Sequence, residues 1–145
     1  MAFAVPDLLL VGAGGFARET AEAVRALNAV RPTWRLRGFV DDTPALHGTL
    51  IGGVPVLGPI DLVDEHPHDR IVITTGRPDN YVSRLLISRR LGLDDDRYAT
   101  IVHPTATIGT TCTVGAGSVL LAHADLTADV VVGRHVAVMP QVVLP

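Results

Sequence analysis

The 145-residue sequence predicts a small parallel α/β domain followed by an incomplete parallel β-helix. Strand-like and helix-like segments alternate through the first part of the chain, the pattern of a parallel sheet with helical crossovers. A glycine-rich turn, Gly12-Ala13-Gly14-Gly15, ends the first strand and opens the first helix. From Val102 onward every sixth residue is aliphatic without exception: Ile108, Val114, Leu120, Leu126, Val132, Val138 and Leu144.

In chain order, Asp7 to Val11 is a short apolar run cut off by glycines, so it reads as a buried strand. A helix is expected from about Phe16 to Asn28, because Ala17, Ala21, Val24 and Leu27 recur at helical spacing while Arg18, Glu19, Glu22 and Arg25 take the other side. Trp34 to Val40 is the second strand, ending in Asp41-Asp42. Glycines and prolines then mark a loop with an extended piece at Val54 to Leu57, and Ile60 to Glu65 forms a short helix. Arg70 to Thr74 is the third strand, ended by Gly76. Pro78 suits the first residue of another helix. Its apolar stripe would be Tyr81, Val82, Leu85 and Leu86, with Gly92 just past its end. Tyr98 to Val102 returns as a strand and leads through His103-Pro104 into the repeats, which puts a domain boundary near residue 100, between 1–100 and 101–145.

Four places after the aliphatic positions comes a second series of small or β-branched residues: Ala106, Cys112, Ser118, Ala124, Val130, Val136 and Val142. One hexad makes a short strand and a turn, and three make a triangular coil. The bulky residue fills the coil and the small one lets the chain turn its corner. The tail amounts to about two and a half coils. Stacked repeats normally end in an atypical capping unit. None is visible before Pro145, so an incomplete β-helix is expected, either truncated or completed by another chain.

Composition narrows the function. Apolar residues at 48% and charged residues at 19% describe a core-forming chain. A net charge of -3 offers no basic footprint for nucleic acid. The run Leu8 to Val11 is too short for a signal or membrane segment. A single cysteine, Cys112, sits on an inward slot of the repeat as a small filler and permits no intrachain disulfide, which points to a reducing cytoplasm. No metal site is expected: the histidines of His66-Pro67-His68-Asp69 sit in a proline-broken, solvated loop, and His47 lies in a polar loop with no evident role. His103 packs at the domain junction. His123 and His135 share one hexad position that should face outward, where they are solvated or within reach of a ligand between subunits.

Gly12-Ala13-Gly14-Gly15-Phe16-Ala17 fits G-x-G-x-x-[G/A] between a strand and a helix, where glycines let the backbone approach a phosphate and free N–H groups point at its charge. Asp41 ends the next strand, where a carboxylate can take a ribose hydroxyl. It follows Gly12 by 29 residues, against about 20 in a dinucleotide fold. Gly76 ends the third strand on the same carboxyl edge. The alternative is a glycine turn chosen for tight packing, with Asp41 and Asp42 solvated.

Taken together, Val11-Gly12-Ala13-Gly14-Gly15-Phe16-Ala17-Arg18-Glu19, Phe39-Val40-Asp41-Asp42, Thr75-Gly76, Ile101-Val102-His103-Pro104 and the hexads resemble the sialic acid O-acetyltransferase and bacillosamine N-acetyltransferase family of bacterial sugar acetyltransferases. The resemblance implies a Rossmann-like domain that binds a nucleotide-linked sugar, either a UDP-linked amino sugar or a sialic-acid-like one. Gly12, Gly14, Gly15, Phe16, Asp41, Asp42 and Gly76 are the substrate-binding residues it implies. It also implies a left-handed β-helix that forms homotrimers and takes acetyl-CoA as acetyl donor in grooves between neighbours. Phe16 stands where relatives often have histidine. The family's general-base histidine would fall immediately after Pro145, so the catalytic residue lies outside this sequence. The chain is accordingly expected to bind the sugar nucleotide with little or no transferase activity. Two alternatives stay open: a fragment of an NAD-dependent oxidoreductase, and a non-catalytic trimeric sugar-nucleotide-binding protein.

Overall fold

The structure, a computed structural model, describes residues 4–145. Its first half is a five-stranded sheet of β1 (Asp7–Val11), β2 (Arg35–Val40), β3 (Leu50–Ile51), β4 (Val54–Gly58) and β5 (Arg70–Ile73), in the order β3-β4-β2-β1-β5. All neighbours are parallel except the short β3, which runs antiparallel to β4. The interior strand β1 is covered on both faces, which is why Leu8 to Val11 is an unbroken apolar run rather than an alternating one. Successive side chains still part company. Leu8 and Leu10 join Ala17, Val24 and Phe39 on one face, whereas Leu9 and Val11 join Val63, Ile71 and Ile73 on the other.

Helix α1 (Gly15–Val30) buries the expected stripe of Ala17, Ala21 and Val24. Beyond it, the side chain of Asn28 accepts from the N–H groups of Thr33 and Trp34 and donates to the Trp34 carbonyl, turning the chain back into β2. Helix α2 (Ser83–Leu91) departs from expectation in two ways. Pro78 does not open it. Residues Arg77 to Asn80 instead close a tight turn, with Asn80 N–H donating to the Arg77 carbonyl at 2.9 Å, because a Pro-Asp-Asn run favours a turn over a helix start. The face presented to the sheet is also different: Ile87 and Leu91 pack there. Tyr81, Val82, Leu85 and Leu86 are each at least 40% exposed. Gly92 does end the helix, at φ 59.

The second half is a three-sided prism. Strands β6 (Ile101–Val102), β9 (Val119–Leu120) and β12 (Ala137–Val138) form one face. A second holds β7 (Thr107–Ile108), β10 (Asp125–Leu126) and β13 (Val143–Leu144), and the third holds β8 (Thr113–Val114) and β11 (Val131–Val132). Every pairing is parallel and joins a residue to the one 18 places on, as in Ile101 with Val119 and Thr113 with Val131, so three hexads make one coil. This is the left-handed parallel β-helix expected. Leu120, Leu126, Val132 and Val138 are buried inside it with Ala124, and Cys112, Val130, Val136 and Val142 pack around them. Corners fall at Gly117, His123, Asp129, His135 and Gln141, all with φ between 56 and 78.

The strand expected over Tyr98 to Val102 is broken in the middle. Tyr98 pairs with Ile71, and Ala99 N–H donates to the Ile71 carbonyl. Two residues later Ile101 N–H donates to Ser118 instead, so the chain passes from the edge of the sheet onto the prism. Outward-facing Ile101, Val119 and Leu121 then join the same apolar cluster as Leu8, Ala17 and Val24.

Candidate functional site

The carboxyl ends of β2, β1 and β5 lie side by side, and the chain winds away from β1 in both directions. Such a reversal in strand order leaves a crevice at the sheet edge. The turns that follow these three strands carry Asp41 and Asp42, the glycine loop, and Gly76, respectively.

The glycines divide by task. Gly12 has φ +106, and a Cβ there would come within 2.7 Å of the Thr75 methyl and 3.2 Å of the Thr75 nitrogen. Its N–H donates to the Val40 carbonyl at 2.7 Å. Gly12 therefore lets the loop cross close over β5. Around Gly14 and Gly15 a Cβ would meet nothing within 4 Å. Packing does not require glycine there, and their open side is available to a ligand.

Asp41 braces this loop. Its Oδ2 accepts from the Ala13 N–H at 2.9 Å and its Oδ1 from the Thr43 N–H at 2.8 Å. Asp42 turns away. Its carboxylate accepts from Arg90 at 2.6 Å and from the Ile60 N–H at 2.9 Å, and these partners, Arg90 foremost, hold it below the usual carboxylate range. Arg90 forks to Asp61 as well, at 2.7 Å. Neither aspartate is a free solvated turn residue, and only Asp41 touches the glycine loop. His47 is likewise engaged, its Nε2 hydrogen-bonding the Asp41 carbonyl at 2.6 Å.

Gly15, Phe16 and Gly76 do come together, lining a cavity of about 360 Å³ whose far wall is Ala137 and Met139 of the prism. Glu19, Arg77, Pro78 and Tyr81 also line it, together with a residue the sequence did not single out. Arg84, in the first turn of α2, donates from Nη1 to the Thr75 carbonyl at 2.8 Å and from Nε to the His135 carbonyl at 2.9 Å. Its guanidinium carbon lies 5.8 Å from the centre of the Phe16 ring, in cation–π range. A Cβ on Gly76 would overlap Arg84 Nη1, so glycine at 76 makes room for that side chain. Burial pushes Arg84 below its ordinary pKa.

Beyond Arg84 a larger cavity, about 620 Å³, is lined by Arg89, Tyr98, Arg134 and His135. Size favours this one as a binding site, but position favours the smaller, which alone has glycine-loop atoms in its wall and stands at the strand-order reversal. His135 is not the solvated histidine expected. It packs edge-on against Tyr98 with ring centroids 4.4 Å apart and covers Gly117, one coil below. Its Nδ1 is buried without a hydrogen-bond partner, and burial first, with Arg134 next, lowers its pKa. His123 is exposed, as expected. His103 accepts from the Thr105 N–H at 3.1 Å, and burial lowers its pKa too. His66 is half-buried and stands 3.6 Å from Asp69, which is already paired with Arg37. Among the described residues no three His, Cys, Asp or Glu side chains converge as a metal site.

Residues 7–89 match the model of the PglD N-terminal domain. The chain belongs to this family. No curated protein matches it. Among solved structures it is similar to the acetyltransferase domain of PglB from Neisseria gonorrhoeae, at 26% identity and a TM-score of 0.76, over 95% of this chain and 64% of that one. The same domain in complex with acetyl coenzyme A matches at 25% identity and a TM-score of 0.78, over 97% and 65%. PerB from Caulobacter crescentus, in complex with CoA and GDP-perosamine, shares the fold at 23% identity and a TM-score of 0.75, over 99% and 65%. The chain thus spans about 65% of the length of these proteins. The family resemblance carried by the glycine loop, the paired aspartates and the hexads is the one these matches show.

Proposed function

We propose that the protein takes part in acetyl transfer from acetyl-CoA to an amino or hydroxyl group of a nucleotide-linked sugar, and that the described residues hold the acceptor. The observation that carries this is the unobstructed glycine loop, whose Gly15 lines a cavity walled jointly by the sheet edge and the prism. In an acetyltransferase of this architecture that cavity puts a nucleotide against the loop and its sugar toward the β-helix. The complexes formed by similar structures, one with acetyl coenzyme A and one with CoA and a GDP-linked sugar, support the donor and the acceptor class. The acceptor nucleotide is a UDP- or GDP-linked amino sugar.

Acetyl transfer of this kind needs a base, because an amine or hydroxyl attacks a thioester well only as it loses its proton. No histidine lines the glycine-loop cavity, whose one carboxylate is Glu19. The 145-residue chain is therefore proposed to bind acceptor while transferring little acetyl by itself. We place it in the cytoplasm, where nucleotide sugars and acetyl-CoA are found and where a lone cysteine stays reduced. A homotrimer is proposed as well, and the exposed Tyr81, Val82, Leu85 and Leu86 support it as an apolar surface for a neighbour. An NAD-dependent reaction is disfavoured, since Asp41 follows Gly12 by 29 residues, against about 20 in a dinucleotide fold.

The test is calorimetric titration with UDP- and GDP-linked amino sugars and with NAD, alongside thiol release from acetyl-CoA. Binding of a nucleotide sugar and not of NAD supports the proposal. Binding of NAD alone, or of none of these ligands, overturns it.

A further inference from the structure

Arg84 is placed as a cation without a counter-charge. Three other arginines of the site region have carboxylates: Arg77 pairs with Asp79, Arg90 with Asp42 and Asp61, and Arg134 with Asp95. Arg84 has two backbone carbonyls and no acidic partner among the described residues. A guanidinium carries about five N–H donors, and these two bonds use only part of that set. Two neutral carbonyls do not neutralise a half-buried positive charge, and partly desolvating one without an anion is unfavourable. The bonds instead fix its orientation. One carbonyl belongs to the sheet edge and the other to the prism, the Phe16 ring lies beneath, and glycine at 76 clears the space. The result is a pre-set fork on the wall of the glycine-loop cavity.

Resting on the acceptor reading above, we infer that Arg84 reads the diphosphate of the acceptor, and so makes this site select a nucleoside-diphosphate-linked sugar over a free one. The planar fork suits bidentate phosphate contact, which a lysine ammonium cannot reproduce while also holding two carbonyls. The glycine-loop N–H groups and Arg84 then approach the phosphates from two sides of the cavity.

The test titrates wild type, Arg84→Gln and Arg84→Lys with UDP and GDP, and in parallel with uridine and guanosine, which lack phosphate. Arg84→Gln should weaken diphosphate binding about 10- to 100-fold, the loss of a charge-assisted contact, while nucleoside binding stays within about threefold. Arg84→Lys should lie between wild type and Arg84→Gln. In wild type the diphosphate affinity should fall with added salt and the nucleoside affinity should not, a measurement that stands even where a variant fails to fold. Undiminished diphosphate binding by Arg84→Gln overturns the assignment while leaving the acceptor site in place. So does an equal loss for diphosphate and nucleoside, which marks a purely structural arginine. Failure of wild type to bind either diphosphate overturns both the assignment and the acceptor site.

Discussion

Replacing Gly12, Gly14 and Gly15 one at a time with alanine should separate the structural glycine from the ligand-facing ones. At Gly12 the backbone has φ +106, where an L side chain is strained by about 1–3 kcal/mol. The added methyl would also stand 2.7 Å from Thr75 Cγ2 and 3.3 Å from the Thr74 carbonyl carbon. Overpacking of that kind costs about 1–3 kcal/mol. Gly12→Ala should therefore lose about 2–6 kcal/mol, a large part of the about 5–15 kcal/mol that holds a domain together. Gly14→Ala and Gly15→Ala meet nothing within 4 Å. Gly14 has φ -86, open to any residue, and Gly15 begins the helix, so both variants should stay within about 1 kcal/mol of wild type. Their methyls would instead occupy the space of a phosphate drawn up to the loop, and nucleotide-sugar binding should drop about tenfold or more. Urea denaturation gives the first quantity, as a lower midpoint at unchanged slope, and calorimetry gives the second. A Gly12→Ala protein within 0.5 kcal/mol of wild type would refute the strain argument. Full nucleotide-sugar binding by both Gly14→Ala and Gly15→Ala would show that no ligand comes up against the loop.

His135 and His103 have lowered pKa values, so the unfolded chain takes up their protons more readily than the folded one. Stability should hold above the ordinary histidine value of about 6.5 and fall as pH drops below it. His135→Asn, which tolerates φ 56, should flatten part of that fall in urea titrations between pH 5 and 8, and an unchanged slope would clear His135 of the effect. Leu126→Ala removes a fully buried side chain inside the prism and should cost about 2–5 kcal/mol. Because Ile101, Val119 and Leu121 share a core with the sheet, the unfolding transition seen by Trp34 fluorescence in the first half should shift with it. A Trp34 transition that stays put would mean the halves unfold separately. In sedimentation the wild type should run as a trimer of the 15.3 kDa chain, with Leu86→Glu shifting it toward monomer. A monomeric wild type would end the trimer proposal.

Much of the architecture was written in local pattern. A sixfold repeat of aliphatic and small residues admits one arrangement that buries both series, and the pairing of each residue with the one 18 places on follows from it. Val11 followed by Gly12 to Gly15 and a helical stripe likewise placed the loop at a strand end, since the strand, the turn and the helix each depend on near neighbours in sequence. The aspartates show the limit. Asp41 and Asp42 are adjacent and chemically the same, but one braces Ala13 and the other pairs with Arg90, 48 residues on. The apolar residues of α2 misled for a similar reason: hydrophobicity marks surfaces that avoid water, without saying whether the sheet or a neighbour covers them.

By itself, then, the sequence determined the order of elements, the coil of three hexads and the glycine loop, because each is encoded by periodicity or backbone freedom over a few residues. Only the tertiary structure decided that Arg84 stands against Phe16 and Gly76 with its donors fixed by Thr75 and His135, and that His135 is packed under Tyr98. Those contacts join segments up to 51 residues apart. A lone arginine or histidine carries no periodicity to announce where the chain will bring it.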